Sequence, residues 1–499
     1  MPKVLSRLRP WVLAAGVALV AGAVRLPMLL ERGPIDDEAV YMVVGNEIAA
    51  GGLPYVDALE RKPPFLLWIY GGLSSAAGES NWIALHATAF VWTLATMAGL
   101  LVLGRRLFNT STGLMAALLY AVYQPWGTWK NFAFNGEVMM NLPIVWAWVV
   151  ALARGRGSTR PELAGAGALL AAAFLMKQPA AIAVVPLGVY LFLPAYRASR
   201  GYSFGDVGVQ AGMLTIGFIT PLLAVGVVLQ HQSILREAVY WTILNHDVPH
   251  VFWQRGVVHT AAFVGACLPL VVGAVACLRD PERWTAKAAE RTALTGLVIV
   301  SAIAVAESGR FYPHYYIQLA LPLALVAAPS LLRPIRMSTS SSVGPYRRWL
   351  GVWLGATIVV FPLIGARGLR LSAETTEAGR YIASHSERED RIFVWGLAAR
   401  IYVDAGRRPA TRYITTFPLT GIIFGPPLPG VDTRARIVPG AWQTFEKDCA
   451  RHPPRFIVDV QDPDIPYPIA DFPQLAQLIH QRYRRVTTAR EGAIYERVQ

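Results

Sequence analysis

The sequence predicts a polytopic α-helical membrane protein with a small water-soluble α/β domain at its C-terminal end. The chain has 499 residues, a mean hydropathy of +0.39 and only 16% charged residues, a composition too apolar for a soluble globular protein. Apolar segments of near-spanning length recur along residues 1–366 and stop there. These observations predict about 11 transmembrane helices in a membrane domain, followed by an extramembrane domain at residues 367–499. The predicted spans are 11–30, 82–103, 111–129, 138–153, 162–176, 180–196, 207–229, 257–278, 292–306, 315–332 and 349–366.

A long polar loop, residues 31–64, follows the first predicted span and begins with the carboxylates Asp36, Asp37 and Glu38. Charge beside lipid costs free energy, so this cluster is a candidate functional site; the alternative is a solvated loop that only ends the helix. The apolar spacing of residues 38–50 predicts a helix along the membrane surface, with Asp36 or Asp37 as its N-terminal cap. Residues 63–78 are too short for a full span and predict a partly inserted or re-entrant segment.

The net charge of +14 is explained by membrane topology better than by nucleic-acid binding, because the basic residues are spread over alternate loops. The basic excess predicts a cytoplasmic N-terminus, and an odd number of spans then places the C-terminal domain outside the cytoplasm. Residues 1–24 fit an uncleaved signal anchor, with a cleaved signal peptide as the alternative. The three cysteines predict neither a disulfide framework nor a zinc site.

The C-terminal domain is predicted to be a small α/β layer. Its apolar patterns indicate helices at 374–384, 441–451 and 474–483, strands at 391–395 and 455–460, and a closing pair of strands around Gly492.

Four polar clusters fall on the predicted outer face: 36–38 with Lys62, 130–137, 177–179 and 307–316. A carboxylate can take the proton of an incoming hydroxyl, while Lys and Arg hold the phosphate of a departing group. Structural alternatives exist for single members, since Lys62 can extend to the interface, Lys177 can mark a helix break and His314 can belong to an aromatic belt. The shared face of the four clusters favours function.

Several motifs in these clusters resemble those of the GT-C membrane glycosyltransferases. The group includes bacterial lipopolysaccharide-core sugar transferases, lipid A aminoarabinose transferases and, more distantly, protein O-mannosyltransferases. The motifs are Asp37-Glu38-x-x-Tyr41, Gly52-x-Pro54-Tyr55-x-Asp57, Lys62-Pro63-Pro64, Phe134-Asn135-x-Glu137, Lys177-Gln178-Pro179, residues 310–316 and Ile392-Phe393-Val394-Trp395-Gly396.

The resemblance implies an enzyme of the bacterial plasma (inner) membrane that transfers a hexose or pentose from a polyprenyl-phosphate donor, with inversion, in the outer half of the bilayer. The implied acceptor is lipid A or another envelope glycolipid, a polysaccharide or a protein. No metal cofactor is obligatory, because phosphate is already a good leaving group, although a divalent metal remains open. The resemblance assigns Asp37 as general base, with Asp36 as the other candidate, and Glu38 as the acid that orients the acceptor or Asp37 itself. It assigns to the donor phosphate Lys62, Lys177, Arg310 and His314, and to the acceptor or to support Tyr41, Tyr55, Asp57 and Glu137.

Two other classes of function compete with the transferase. A transporter or flippase of a lipid-linked saccharide also needs many spans, but no internal repeat is visible and the polar groups concentrate at one face. A saccharide-binding factor with a membrane anchor would not require so many helices. Asp37 discriminates between them, because only the transferase needs its carboxylate.

Overall fold

The computed structural model describes residues 9–35, 37–152, 158–245, 251–284, 287–336, 344–372, 374–421, 433–460 and 468–498. The chain forms two compact units. The first, called the helical unit, contains Met1–Glu31, Leu85–Gln230 and Asn245–Leu371. The second, called the mixed unit, contains Arg32–Ala84, His231–Leu244 and Ser372–Gln499.

Most of the chain is helical. In chain order, the helices before the C-terminal sheet are α1 Pro10–Leu30, α2 Glu38–Ala49, α3 Pro64–Ala77, α4 Trp82–Leu107, α5 Thr110–Tyr123, α6 Gly136–Ala151, α7 Arg160–Met176, α8 Val184–Phe192, α9 Pro194–Arg200, α10 Phe204–His231, α11 Leu235–Val239, α12 Trp253–Ala266, α13 Leu268–Arg279, α14 Pro281–Trp284, α15 Ala288–Ala306, α16 Ile317–Arg336 and α17 Gly344–Ser372. The C-terminal elements are α18 Glu377–Ser384, β1 Arg391–Trp395, α19 Arg400–Ala405, β2 Arg408–Pro409, α20 Phe417–Thr420, α21 Ala441–Arg451, β3 Phe456–Val460, α22 Pro473–Arg482, β4 Tyr483–Ala489 and β5 Gly492–Arg497.

The structure confirms a multi-pass membrane protein. Among the described residues, 6 helices are long and apolar enough to cross a membrane, or up to 8 if each of two bent helix pairs is one span. Two further apolar helices, α5 and α6, are shorter. The number of about 11 spans therefore stays a prediction.

Two predicted spans, 180–196 and 257–278, are broken in the structure. The first bends by 53° before Pro194, and the second bends by 80° at Cys267, two residues before Pro269. Proline lacks a backbone N–H and restricts the residue before it, so a helix stops at these points. The mean hydropathy of a segment does not reveal such a break, because the residues on both sides of it are apolar.

The helices of the helical unit approach closely where small residues face each other. Gly217 on α10 lies against the backbone of Ala164 on α7, and Gly167 on α7 lies against Leu214 on α10. A side chain at either glycine would collide with a backbone carbonyl. Small residues at a helix contact are typical of membrane bundles, in which dispersion between close backbones replaces the hydrophobic effect.

Arg25, the charge within the first predicted span, is buried in the helical unit, with 2% of its surface exposed. Its Nη1 donates to the carbonyl of Ala121 at 3.0 Å, and Nη2 donates to the side chain of Gln124. The α1 helix can therefore carry a charge in an apolar span, since the guanidinium is bonded to the end of α5.

The C-terminal part of the mixed unit is a five-stranded sheet in the order β2-β1-β3-β5-β4. The β1 strand runs parallel to β2 and β3, whereas β5 is antiparallel to β3 and to β4. Trp395 is fully buried and packs against Trp442 of α21 and Phe472 before α22. The predicted helices, strands and closing hairpin around Gly492 are confirmed, and the fold class with them.

The outer loop, residues 31–64, belongs to the mixed unit together with the sheet. Helix α2 packs on α3, where Gly45 lies against the backbone of Tyr70. The Leu59 N–H donates to the carbonyl of Arg412 at 2.7 Å, and Arg391 bonds Glu47 at 3.1 Å. The outer loop and the C-terminal residues therefore belong to one compact unit. The domain boundary at residue 366 stays a prediction.

The close contact between α7 and α10 generates a stability prediction. We expect Gly217→Ala to destabilise the detergent-solubilised protein by about 1–3 kcal/mol, because the new methyl group must push α10 away from Ala164. The matched control is Gly208→Ala on the same helix, where no atom lies within 4 Å of the added carbon. That control should be neutral or slightly stabilising, since alanine favours a helix more than glycine does. Equal thermal midpoints for the two variants would contradict the proposed contact.

Candidate functional site

Asp37 stands at the entry to α2, where the sequence predicts a capping carboxylate. It occupies the N-cap position, but its side chain makes no capping hydrogen bond. A capping residue usually has extended backbone torsions, whereas Asp37 is already helical (φ −65°, ψ −12°). The predicted cap is therefore wrong for Asp37. Its Oδ2 instead accepts a hydrogen bond from the Tyr41 hydroxyl, at 3.2 Å.

Glu38 is fully buried, and its Oε2 accepts the backbone N–H of Ile35 at 2.7 Å. This bond ties the start of α2 to Ile35, on the other side of Asp37. Asp36, the other predicted base, lies outside the described residues.

Lys62 lies near Tyr41, the residue whose hydroxyl donates to Asp37. Its Nζ is 6.0 Å from the centroid of the Tyr41 ring, and its carbonyl accepts a hydrogen bond from the Tyr55 hydroxyl at 2.8 Å. Tyr55 is buried in a left-handed conformation (φ 70°), inside a turn closed by its N–H and the carbonyl of Ala58 at 2.9 Å. Asp57 completes that turn by accepting the Leu53 N–H at 2.8 Å. Tyr55 and Asp57 thus shape the loop that holds Lys62.

Glu60 is a carboxyl group of this loop that was not among the predicted site residues. Burial raises the pKa of Glu60, the positive charge of Lys62 opposes that rise, and the negative charge of Asp37 adds to it. The sequence signal was an acid two residues before a predicted phosphate-binding lysine. The mixed unit therefore brings two carboxyl groups, one ammonium and one phenol together.

The helical unit contains a separate cluster around Glu137. Glu137 lies in the first turn of α6, where the Asn135 side chain caps the helix by accepting the Val138 N–H at 3.2 Å. Its buried carboxylate forms an ion pair with the Nζ of Lys177, the C-cap residue directly after α7. The Nε2 of His314 lies 3.8 Å from the same carboxylate. The predicted clusters at 130–137, 177–179 and 307–316 therefore meet within one unit.

Aromatic rings fix the cations of this cluster. The Lys177 Nζ lies 4.7 Å from the ring centroid of Tyr315, and the ring of His314 stacks on Tyr312 with centroids 5.7 Å apart. Arg310 is buried, and its charge acts on Tyr315. Contacts between a cation and a ring face hold the side chain without consuming its hydrogen-bond donors.

Arg255 is a further cation of the helical unit that sequence reasoning missed. Its guanidinium lies 4.6 Å from the ring centroid of Phe252 and 5.1 Å from that of Tyr312, the ring that stacks on His314. Among the described residues, no hydrogen-bond partner reaches its buried Nη1. A buried guanidinium N–H without a partner is costly, so it marks a place where an anionic ligand would be favourable. The signal in the sequence was an arginine two residues after an aromatic pair.

Each unit thus carries a distinct set of reactive groups. The mixed unit has a half-buried aspartate bonded to a phenol and close to an ammonium, which suits proton transfer. The helical unit has a lysine and a histidine near one buried carboxylate, and two arginines near the aromatic residues that contact them, which suits a phosphate ester. Within the described ranges, no group of three or more His, Cys, Asp or Glu side chains is arranged to hold a metal ion.

The comparisons with known proteins agree with this description. Residues 61–224 match the family model described as dolichyl-phosphate-mannose-protein mannosyltransferase. No curated protein matches the chain in sequence.

Solved structures share the fold at low sequence identity. ArnT from Cupriavidus metallidurans bound to undecaprenyl phosphate is 14% identical, with a TM-score of 0.55 over 98% of this chain and 98% of that chain. The archaeal oligosaccharyltransferase AglB from Archaeoglobus fulgidus, in complex with an inhibitory peptide and a dolichol-phosphate, is 12% identical, with a TM-score of 0.54 over 90% of this chain and 69% of that chain. Residues 61–224 are therefore similar to the dolichyl-phosphate-mannose-protein mannosyltransferase family, and the chain has the same fold as the ArnT and oligosaccharyltransferase structures.

Proposed function

We propose that this protein is an integral membrane glycosyltransferase that moves a sugar from a polyprenyl-phosphate donor to an envelope glycolipid, a polysaccharide or a protein, with inversion at the anomeric carbon. The observation that carries the proposal is the Asp37 carboxylate. It is half-buried, accepts a hydrogen bond from Tyr41 and makes no capping hydrogen bond to α2. The family domain at residues 61–224 supports it, as do the polyprenyl-phosphate ligands of the structural neighbours.

Asp37 is the general base of the proposed reaction. The acceptor hydroxyl gives its proton to the Asp37 carboxylate while its oxygen forms a bond to the anomeric carbon. The bond between that carbon and the phosphate oxygen breaks on the opposite side, and polyprenyl phosphate leaves with the electron pair. Tyr41 orients Asp37 through its hydrogen bond, and Glu38 holds the turn. Asp36 is the alternative base.

In the helical unit, we assign the departing phosphate to Lys177, His314, Arg310 and Arg255, with Lys62 of the mixed unit as the alternative partner. Arg255 supports this assignment most directly, since its buried Nη1 lacks a partner among the described residues. Glu137 positions Lys177 through their ion pair and balances one of the positive charges. Cations held in a fixed arrangement stabilise the charge that develops on a leaving phosphate.

The proposal includes a location and a topology. The enzyme would lie in the bacterial plasma membrane, with the N-terminus in the cytoplasm and residues 367–499 outside it, where lipid-linked sugars meet envelope acceptors. No metal step is part of the proposed reaction, because the leaving phosphate is met by side-chain cations.

One observation favours a second function, transport or flipping of a lipid-linked saccharide. Two helix pairs are bent, by 53° and 80°, and broken helices are common in transporters. A flippase has no use for a base at Asp37, so the first experiment below separates the two functions.

Asp37→Asn is expected to reduce sugar transfer by about 10²-fold or more, because the amide cannot accept the acceptor's proton. The measurement is mass spectrometry of envelope glycolipids and glycans from a deletion strain that expresses each variant. Asp471→Asn, at an exposed turn, is the control and should restore the wild-type product. A wild-type product from Asp37→Asn would refute the assignment of the base and favour transport. Loss of product only in Asp36→Asn would move the base to Asp36.

Arg255→Gln should weaken binding of undecaprenyl phosphate about tenfold, the usual loss for one hydrogen bond between charged groups. Direct titration of the purified protein, followed by native mass spectrometry, measures this without turnover. Arg236→Gln, at an exposed arginine of α11, is the matched control. Equal affinities for wild type and Arg255→Gln would show that Arg255 does not hold the phosphate.

Glu60→Gln should change how stability depends on pH. The raised pKa means that folded Glu60 keeps its proton at pH values where the unfolded chain has lost it, so the free energy of unfolding falls as pH rises from the ordinary value of 4.5. We expect the variant to be more heat-stable than wild type at pH 8 and equal to it below pH 4.5, by thermal unfolding in detergent. Glu389→Gln, at an exposed position, should follow wild type throughout. A pH-independent difference for Glu60→Gln would contradict the raised pKa.

A further inference from the structure

The mixed unit contains a cavity that the proposed reaction does not use. Its volume is about 350 Å³. Its lining comes from α2, the turn before α4, the turn before β1, α19 and β2. We call it the β2 pocket; its lining residues are Val43, Asn46, Glu79, Ser80, Arg388, Tyr402, Val403, Gly406, Arg407, Arg408 and Pro409. None of these residues is assigned to the base or to the donor phosphate.

The β2 pocket faces a side of α2 other than that of the proposed base. Asp37 and Tyr41 are four residues apart and share one helix face, whereas Val43 and Asn46 are three apart and share another. A ligand in the β2 pocket would therefore occupy a place of its own within the mixed unit.

Three arginines line the β2 pocket, but only two have donors to offer. Arg407 uses its guanidinium on the Ser386 hydroxyl and on the backbone carbonyls of residues 383, 386, 405 and 406. The guanidinium of Arg408 makes no hydrogen bond or ion pair among the described residues, although its charge acts on Glu47. The side chain of Arg388 is 76% exposed and touches Glu79 at 3.5 Å, a pairing that contributes little when solvated. Arg388 and Arg408 are thus available for an anion.

The rest of the lining is suited to hydroxyl groups. The Asn46 Nδ2 donates to the Ser80 Oγ at 3.1 Å, and its Oδ1 accepts from Ser74 at 2.9 Å, so the amide is held in one orientation. Ser80 has a left-handed backbone (φ 55°), and its Oγ accepts the bond from Asn46 in the pocket lining. Glu79 supplies a carboxylate at the same turn. Small-molecule sites combine a few fixed polar groups of this kind with a volume from about 300 Å³ upwards.

We propose that the β2 pocket binds a sugar residue bearing an anionic group, a carboxylate or a phosphate. The anion is held by Arg388 and Arg408, whose planar guanidinium groups match both oxyanions. Asn46, Ser80 and Glu79 contact the sugar hydroxyls. The proposal deepens the proposed function, on which it rests for this one point: the acceptor of the transfer is an acidic saccharide that the mixed unit recognises apart from the reacting hydroxyl.

The test is binding of three matched probes to the purified full-length protein: glucose, glucuronic acid and glucose 6-phosphate. Isothermal titration in detergent should detect one or both acidic probes, with glucose at least about tenfold weaker, since it lacks the charge-assisted bonds. Arg408→Gln and Arg388→Gln should each weaken the acidic probe about tenfold.

The chain offers a matched control arginine. Arg484 on β4 is 72% exposed and touches Glu496 at 3.5 Å, as Arg388 touches Glu79. It does not line the β2 pocket. Arg484→Gln should bind the probes as wild type does, whereas an equal loss in this variant would mean non-specific charge attraction and would overturn the site.

The remaining outcomes separate this inference from the proposed function. A preference for glucuronic acid or for glucose 6-phosphate identifies the carboxylate or the phosphate as the anion and supports the site. Equal binding of glucose, or no binding of any probe, overturns it. Asp37→Asn should bind the acidic probe with wild-type affinity, because the β2 pocket does not include Asp37. If wild type binds the probe but transfers no sugar, the transferase is refuted and the binding site is not. If wild type transfers sugar but binds no probe, the binding site is refuted and the transferase is not.

Discussion

The mixed unit depends on the way Arg412 joins the outer loop to the sheet. Its carbonyl accepts the N–H of Leu59, while its own N–H and guanidinium make three bonds, of 2.9 to 3.1 Å, to the carboxylate of Asp448 on α21. The segment between α2 and α3 contains no helix or extended strand, and its internal turn bonds do not attach it to the C-terminal residues. Because Leu59 immediately precedes Glu60 and lies three residues before Lys62, this junction determines where the reactive loop runs.

A second contact of the same kind connects α2 itself. Arg391, at the start of β1, bonds the buried carboxylate of Glu47 at 3.1 Å and the carbonyl of Pro409 at 2.7 Å. Removing either partner would leave the other charge buried and unpaired, which costs more than the pair contributes. The C-terminal sheet is thus a support for the candidate base at the other end of α2, in addition to any binding role of its own.

The sequence predicted the architecture well where the environment imposes a pattern. Lipid requires every backbone group to be bonded within the helix, so apolar length indicated the spans. Short runs of apolar, mostly β-branched and aromatic residues indicated β1 and β3. The β2 strand was missed because it has two residues, and the bends near Pro194 and Cys267 were hidden by their apolar neighbours.

The candidate site was predictable only in its local parts. The motifs located Asp37, Lys62, Lys177 and His314, but which groups meet depends on tertiary packing: Glu137 joins Lys177 and His314, whereas Asp37 and Lys62 share another unit. Arg255 was missed because its meaning comes from Tyr312, distant in sequence, and Glu60 because burial decides its charge.

The two edge strands of the small sheet affect how residues 367–499 behave outside the cytoplasm, where we propose that they lie. An exposed strand offers unpaired backbone groups to any other chain and can seed aggregation. Here one margin is β2, only two residues long, and the other is β4, whose Arg484 and Arg485 are exposed. A short strand and a charged one both discourage pairing with a second copy. Many copies can therefore crowd one membrane surface without their sheets joining edge to edge.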